Sequence, residues 1–168
     1  MNKKITVHNP YATGEYVVYP AHGVGKVSDV TKQTIAGTEL DLIVVNFDKD
    51  KMTLRIPMAK AETAGLRKIS SADTINDALT TLKGKAKVKK VMWSRRAQEY
   101  ENKINSGNPV AIAEVVRDLY RNENIAEQSY SERQIYEQAF DRLASEVAVF
   151  DNTSVEDANK KLLDILAK

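Results

Sequence analysis

The sequence contains no cysteine, which excludes disulfide bonds, thiolate metal ligands and cysteine nucleophiles. Its two histidines, His8 and His22, lie in unrelated contexts, and neither has a carboxylate at the spacing of a metal site or a catalytic relay. A glycine-rich phosphate-binding loop is also missing. These absences argue against an enzyme, and we expect neither a metal nor a cofactor.

Long apolar runs are missing as well. No stretch reaches the roughly 18 apolar residues that a membrane-spanning helix requires, and polar residues interrupt the N-terminal segment before a secretory signal develops. A composition with 42% hydrophobic and 29% charged residues is typical of a globular protein. We therefore expect a cytoplasmic protein with no membrane partner.

Positive charge is concentrated in one part of the chain. The formal net charge is only +2, but residues 83–103 hold eight lysines and arginines against two acidic residues, whereas residues 104–168 hold seven against twelve. Such a local excess is the footprint of a polyanion-binding surface. A solvated lysine-rich linker is the alternative interpretation.

The only tryptophan, Trp93, lies at the end of a lysine run and two residues before Arg95 and Arg96. A large flat ring among phosphate-binding side chains suits a protein that lodges on a duplex and pushes on a base step. Trp93 also begins a stripe at helical spacing that continues through Ala97, Tyr100 and Ile104, which is typical of core packing. One ring can serve both purposes if its edge packs on the next helix and its face stays available.

Residues 1–13 are expected to form a flexible leader, and residues 14–69 a first domain. Short β-type runs alternate there with tight turns, which indicates a small, strongly bent sheet or barrel. The run over residues 52–57 places Thr53 and Arg55 on one face. An edge strand with an outward arginine suits docking of another protein, although Arg55 equally suits protection of that edge against aggregation.

From residue 70 to residue 168 the apolar spacing becomes helical, so the sequence predicts an α+β protein in two segregated parts. A helix capped near Ser71 should end at Gly84, the helix with Trp93 should end near Gly107, and the next should begin at Asn108. Capping boxes are predicted over residues 131–134 and 153–156. A core stripe is predicted at Tyr136, Phe140, Leu143, Val147 and Phe150.

Four motifs carry a resemblance to a known family. They are YPAHGVG at residues 19–25, LRIP at 54–57, WSRR at 93–96 and AEVVRDLY at 113–120. In this order and at these separations they resemble the bacterial CarD/CdnL family of RNA polymerase-binding transcription regulators. The match runs from about residue 14 over nearly the whole chain. It implies a Tudor-like RNA polymerase-interacting domain over residues 14–69 and a helical DNA-binding domain over residues 70–168.

The resemblance also implies the partners and the residues that contact them. Arg55, with Thr53 beside it, would face the β subunit of RNA polymerase; Gln33 stands where some relatives have a second arginine, so Lys32 is the alternative contact there. The residue matched by Trp93 wedges into the minor groove at the upstream edge of the −10 region and holds the melted DNA open. The implied DNA-binding residues are Lys89, Lys90, Trp93, Arg95, Arg96 and Arg133.

A polymerase-independent architectural DNA-binding protein is the competing hypothesis. It predicts that the isolated protein binds duplex DNA well at physiological salt. The presence of only one basic cluster argues against it.

Overall fold

The computed structural model describes residues 11–121 and 128–168. The first part is one antiparallel five-stranded sheet, and the second part is helical, which confirms the predicted two-part α+β architecture. The strands are β1 (Tyr16–Tyr19), β2 (Gly23–Ile35), β3 (Thr38–Phe47), β4 (Met52–Pro57) and β5 (Arg67–Lys68). Their order is β4-β3-β2-β1-β5, so the sheet is open and does not close into a barrel.

Two local features shape the sheet. The β2–β3 hairpin turns at Ala36 and Gly37, with φ of 51° and 78°, the left-handed conformation that a two-residue hairpin turn requires. The register shifts between Val27 and Asp29, a bulge that bends β2. At Gly25 a Cβ would lie 2.6 Å from Val45 Cγ1, so only glycine allows the close packing there.

One face of the sheet carries the first core. A four-residue helix, α1 (Met58–Ala61), and Leu66 cover it. Its buried strand residues are Val17, Val27, Ile43, Val45, Phe47 and Ile56. Tyr11 packs against this core, and its hydroxyl donates to the Leu66 carbonyl at 3.0 Å. Residues 1–10, most of the expected leader, lie outside the described residues.

The helices are α2 (Ala72–Lys83), α3 (Trp93–Asn105), α4 (Pro109–Leu119), α5 (Tyr130–Asp151) and α6 (Val155–Leu166). The predicted caps are confirmed at Ser71, whose side chain accepts from Thr74 N, and at Asn108, which precedes Pro109. The helices bury a second core centred on α4 and α5. In the described ranges, none of the helices combines the length and apolar character needed to cross a membrane.

Two predicted capping boxes are displaced. The N-cap of α5 is Ser129, which accepts from Glu132 N at 3.2 Å, and the N-cap of α6 is Ser154, which accepts from Asp157 N at 3.1 Å. The predicted cap of α5 at residue 131 was therefore wrong by two residues, and the predicted cap of α6 at residue 153 was wrong by one.

The predicted stripe on α5 is only partly a core stripe. Leu143 and Val147 are buried, but Phe150 is 37% exposed and does not belong to the core, contrary to the prediction. The buried face of α5 instead includes the small residues Ala144 and Ala148. Partial burial of Tyr136 raises the pKa of its hydroxyl to about 12.

A buried ion pair joins the sheet to the helices. Arg67 of β5 binds Glu146 of α5 through two hydrogen bonds of 2.8 and 2.7 Å, and Ser70 N donates to the same carboxylate at 2.9 Å. Arg67 Nη2 also donates to the Gly107 carbonyl at 2.6 Å. Glu146 is only 3% exposed, so this carboxylate depends on these donors for its solvation.

A second contact lies nearby on the same helix. Arg142 of α5 donates to the backbone carbonyls of Pro20 and Ala21, in the turn between β1 and β2. Burial lowers the pKa of the Arg142 guanidinium below its ordinary value. Arg67 therefore attaches β5 to α5, and Arg142 attaches the turn between β1 and β2 to the same helix.

Glu146→Ala should lower the free energy of unfolding by about 3–5 kcal/mol, because the partly buried guanidinium of Arg67 loses the carboxylate that neutralises it. Lys161→Ala is the control, since it breaks an exposed ion pair with Asp151 and should cost less than about 1 kcal/mol. Urea unfolding followed by circular dichroism measures both. Equal losses in the two variants would mean that Glu146 does not hold the two parts together.

Candidate nucleic-acid interface

The basic segment, residues 83–96, connects α2 to α3 and enters α3 at Trp93. Residues 84–92 are exposed and form no helix or strand. One backbone contact fixes their course: Lys87 N donates to Asp118 Oδ1 at 2.9 Å. Asp118 is 3% exposed and also accepts from Arg117 Nε at 2.9 Å. The backbone of the segment is therefore anchored while its lysine side chains stay in solvent.

Most cations of this segment lack acidic partners. Lys89 Nζ lies 3.3 Å from Glu99 Oε2. Within residues 11–121 and 128–168, no ion pair involves Lys83, Lys85, Lys87, Lys90 or Arg95. Unneutralised cations on one exposed segment favour a polyanion such as nucleic acid.

Trp93 is partly buried at the start of α3 and packs against the helical core. Its indole Nε1 donates to Ser131 Oγ, in the first turn of α5, at 3.2 Å. The Tyr100 ring lies with its centroid 6.3 Å from that of Trp93. The edge of the indole is thus held by α5. That the ring also contacts DNA stays a prediction.

The two arginines after Trp93 have different environments. Arg96 lies between two rings, with its guanidinium 5.3 Å from the Trp93 centroid and 5.7 Å from the Tyr100 centroid. Its Nη2 donates to the Tyr100 hydroxyl at 3.2 Å, and its buried Nε has no acceptor among the described residues. Arg95 is exposed. Arg96 therefore supports the indole, whereas Arg95 is free to reach a phosphate.

Two helix starts meet at this place. α3 begins after Met92 with no side-chain cap. Arg95 N donates to the Met92 carbonyl at 3.0 Å, so the N–H groups of Trp93 and Ser94 are those that could bind an anion. Arg133 is exposed and lies two residues after Ser131 on α5, so the structure brings it to the Trp93 end of the helical part. The contacts of Ser131 with Trp93 and of Asp118 with Lys87 were not predicted from the sequence, because the partners lie 38 and 31 residues away.

The predicted polymerase-facing residues lie on the sheet. Arg55 is exposed on β4, an edge strand, and forms no ion pair with any residue that the structure describes. Thr53 Oγ1 donates to Asn46 Oδ1 at 2.8 Å. The register pairs Arg55 with Val44 and Val44 with Asp29, which places Gln33 on the face of Arg55 and Lys32 on the opposite face.

His22 has a packing role. Its ring stacks on Tyr19 at a centroid distance of 5.7 Å and lies 5.5 Å from the Phe47 ring. Across the described ranges there is no cluster of three or more histidine and acidic side chains that would hold a metal ion.

Comparison with known proteins covers both parts of the chain. Residues 77–163 match the family model described as "CarD, C-terminal domain", and residues 11–70 match "CarD-like/TRCF RID domain". The candidate transcription factor YdeB of Bacillus subtilis (strain 168) is 24% identical over 139 residues, 83% of this chain and 91% of YdeB. A solution NMR structure of the 72-residue N-terminal domain of Myxococcus xanthus CarD is 33% identical, with a TM-score of 0.30, and the match covers 34% of this chain and 76% of that one.

The two domain matches define the class of protein, a non-enzymatic transcription regulator with an RNA polymerase-interacting domain. Because the C-terminal match spans more than half of the chain, the chain belongs to the CarD family. The family assignment made from the four motifs is confirmed.

Ser131→Ala should loosen the indole, because it removes the acceptor of the Trp93 N–H. We expect a loss of stability of about 0.5–1.5 kcal/mol and a lower fluorescence anisotropy of Trp93, the only tryptophan. Ser94→Ala is the matched control, since Ser94 is exposed and adjacent to Trp93. If the two variants have the same anisotropy, the hydrogen bond does not hold the ring.

Proposed function

We propose that this protein binds the β subunit of RNA polymerase through residues 14–69 and promoter DNA through residues 70–168. On this proposal Trp93 wedges into the minor groove at the upstream edge of the −10 region and stabilises the open complex. The observation that carries the proposal is the position of the indole. It is fixed at one edge by Ser131 and lies at the end of an exposed basic segment. Apart from Lys89, the lysines of this segment form no ion pair with the residues that the structure describes.

The energetics favour a wedge on DNA that is already distorted. Opening a base step costs a few kcal/mol, and a rigid ring that fills the gap offsets part of that cost. Arg95 and the lysines of the basic segment other than Lys89 have no acidic partner among the described residues and can bind the flanking phosphates, which fixes position without reading sequence. The DNA contact is therefore largely sequence-neutral and favours the melted state.

Tethering to polymerase makes such a weak DNA contact sufficient. A protein held on the polymerase presents the wedge at a high effective concentration, so its intrinsic DNA affinity need not be high. Arg55 supports this proposal, because it lies exposed on an edge strand, where another protein can dock, and has no acidic partner among the described residues. Since Lys32 points to the opposite face, we assign the contact to Arg55, Thr53 and Gln33.

Trp93→Ala should shorten the lifetime of an open complex about fivefold or more, because stacking on one base contributes about 1–3 kcal/mol. The measurement is competitor-challenged decay of the complex on a promoter with a weak discriminator, with polymerase alone, with wild type and with the variant. Polymerase binding should not change. Trp93→Phe, which keeps a smaller ring, should retain part of the effect.

Three outcomes would contradict this proposal in different ways. Global unfolding of Trp93→Ala would mean that Trp93 acts only as a core residue. If the wild-type protein does not change the lifetime of the open complex, the proposed stabilisation of that complex is wrong. If the wild type has no such effect but binds duplex DNA tightly at physiological salt, the architectural DNA-binding hypothesis is supported instead.

Arg55→Glu should weaken binding to the polymerase β subunit at least tenfold and leave affinity for free DNA unchanged, because Arg55 lies on the sheet and far along the chain from the basic segment. Lys32→Glu makes the same charge change on the opposite face and should have little effect. Binding is measured by titration of labelled protein with polymerase. If only Lys32→Glu weakens binding, the docking face is the other side of the sheet.

A further inference from the structure

Two large apolar side chains lie exposed beside Trp93. Met92 directly precedes it, and Tyr130 is the first residue of α5; each is 78% exposed. The hydrogen bond between Ser131 and Trp93 brings the first turn of α5 against the indole. Single exposed apolar side chains are ordinary on protein surfaces, but a group of them beside an interface indicates an additional contact.

The ring of Tyr130 is oriented although it is not buried. Its hydroxyl accepts a hydrogen bond from Gln134 Nε2, one helical turn later, at 2.6 Å. A ring that is held in this way loses little conformational freedom when a ligand stacks on it. The arrangement is therefore suited to a flat partner that arrives from solvent.

The surrounding charge identifies the partner as nucleic acid. Arg95 and Arg133 are exposed, and neither forms an ion pair with a residue of the described ranges. An apolar protein surface would have to cover these cations without compensation, whereas DNA brings phosphates for the cations and base faces for the ring.

We propose that Tyr130, with Met92 beside it, is a second stacking contact for DNA. The Tyr130 ring stacks on a base that has left the duplex stack next to the step opened by Trp93. This inference rests on the proposed function and extends it, since it adds a second ring on a second helix and names an unstacked base as its ligand. The distorted DNA would then be held at two points, by Trp93 at the opened step and by Tyr130 at the unstacked base.

The test uses the full-length protein with polymerase and a promoter that carries 2-aminopurine at positions flanking the upstream edge of the −10 region. Tyr130→Ala should shorten the open-complex lifetime roughly fivefold or more, the lower end of the effect of stacking on one base. It should also raise 2-aminopurine fluorescence at one position, because stacking on a ring quenches the probe. Tyr130→Phe should keep both signals near those of wild type.

Two further variants separate stacking from other causes. Tyr130→Lys adds a phosphate-binding charge but removes the ring, so we expect the lifetime to fall as in Tyr130→Ala. Leu163→Ala alters an exposed apolar residue of α6 that is 44% exposed and should have no effect. Circular dichroism confirms that each variant is folded.

The outcomes distinguish this inference from the proposed function. If wild type prolongs the complex and Trp93→Ala abolishes the effect, but Tyr130→Ala behaves like Leu163→Ala, the second contact is wrong and the wedge stands. If Tyr130→Lys matches wild type, the contact is electrostatic and stacking is overturned. If wild type itself has no effect on lifetime, both proposals fall.

Discussion

The arrangement of the two parts of this protein depends on the buried carboxylate of Glu146. It accepts two hydrogen bonds from Arg67 and one from the backbone of Ser70, so three donors from the sheet side converge on one side chain of α5. A charge with 3% exposure has almost no water to replace a lost donor. Sliding of the sheet on α5 would uncover this charge, and the planar fork of Arg67 permits only one orientation.

Trp93 packs against the helical core and also lies next to an exposed basic run. Packing against Tyr100 and the bond to Ser131 belong to the helical core, while the position at the end of an exposed basic run belongs to a surface. Arg96 contacts both aromatic rings, because its guanidinium lies over the indole of Trp93 and donates to the hydroxyl of Tyr100. A ring used against DNA benefits from such support, since a mobile side chain would lose entropy on insertion.

What the sequence predicted, and what it did not, follows from the range of the interactions. The caps at Ser71 and Asn108 and the alternation along β4 are set by neighbours within a few residues, and these were predicted correctly. The start of α5 was misjudged because residues 129–132 and 131–134 both fit a capping box. In the structure Ser129 is the cap, and Ser131 instead accepts from Trp93, a partner 38 residues away.

The same limit applies to the candidate site. Composition and spacing located the basic segment, the tryptophan and the edge arginine, since each is visible as a local pattern. The buried anchor Asp118 and the face that carries Gln33 with Arg55 both arise from tertiary pairing and strand register. Such features have no signature in a single sequence, because a carboxylate that binds a distant backbone N–H looks like any acidic residue of a helix.

The course of α3 has a mechanical consequence. The helix begins at Trp93 and is followed by Gly107, whose carbonyl accepts a hydrogen bond from Arg67 of the sheet. Thirteen helical residues form a stiff rod about 20 Å long. A force on the indole would therefore act on two elements, on the sheet through α3 and the Gly107 carbonyl, and on α5 through Ser131.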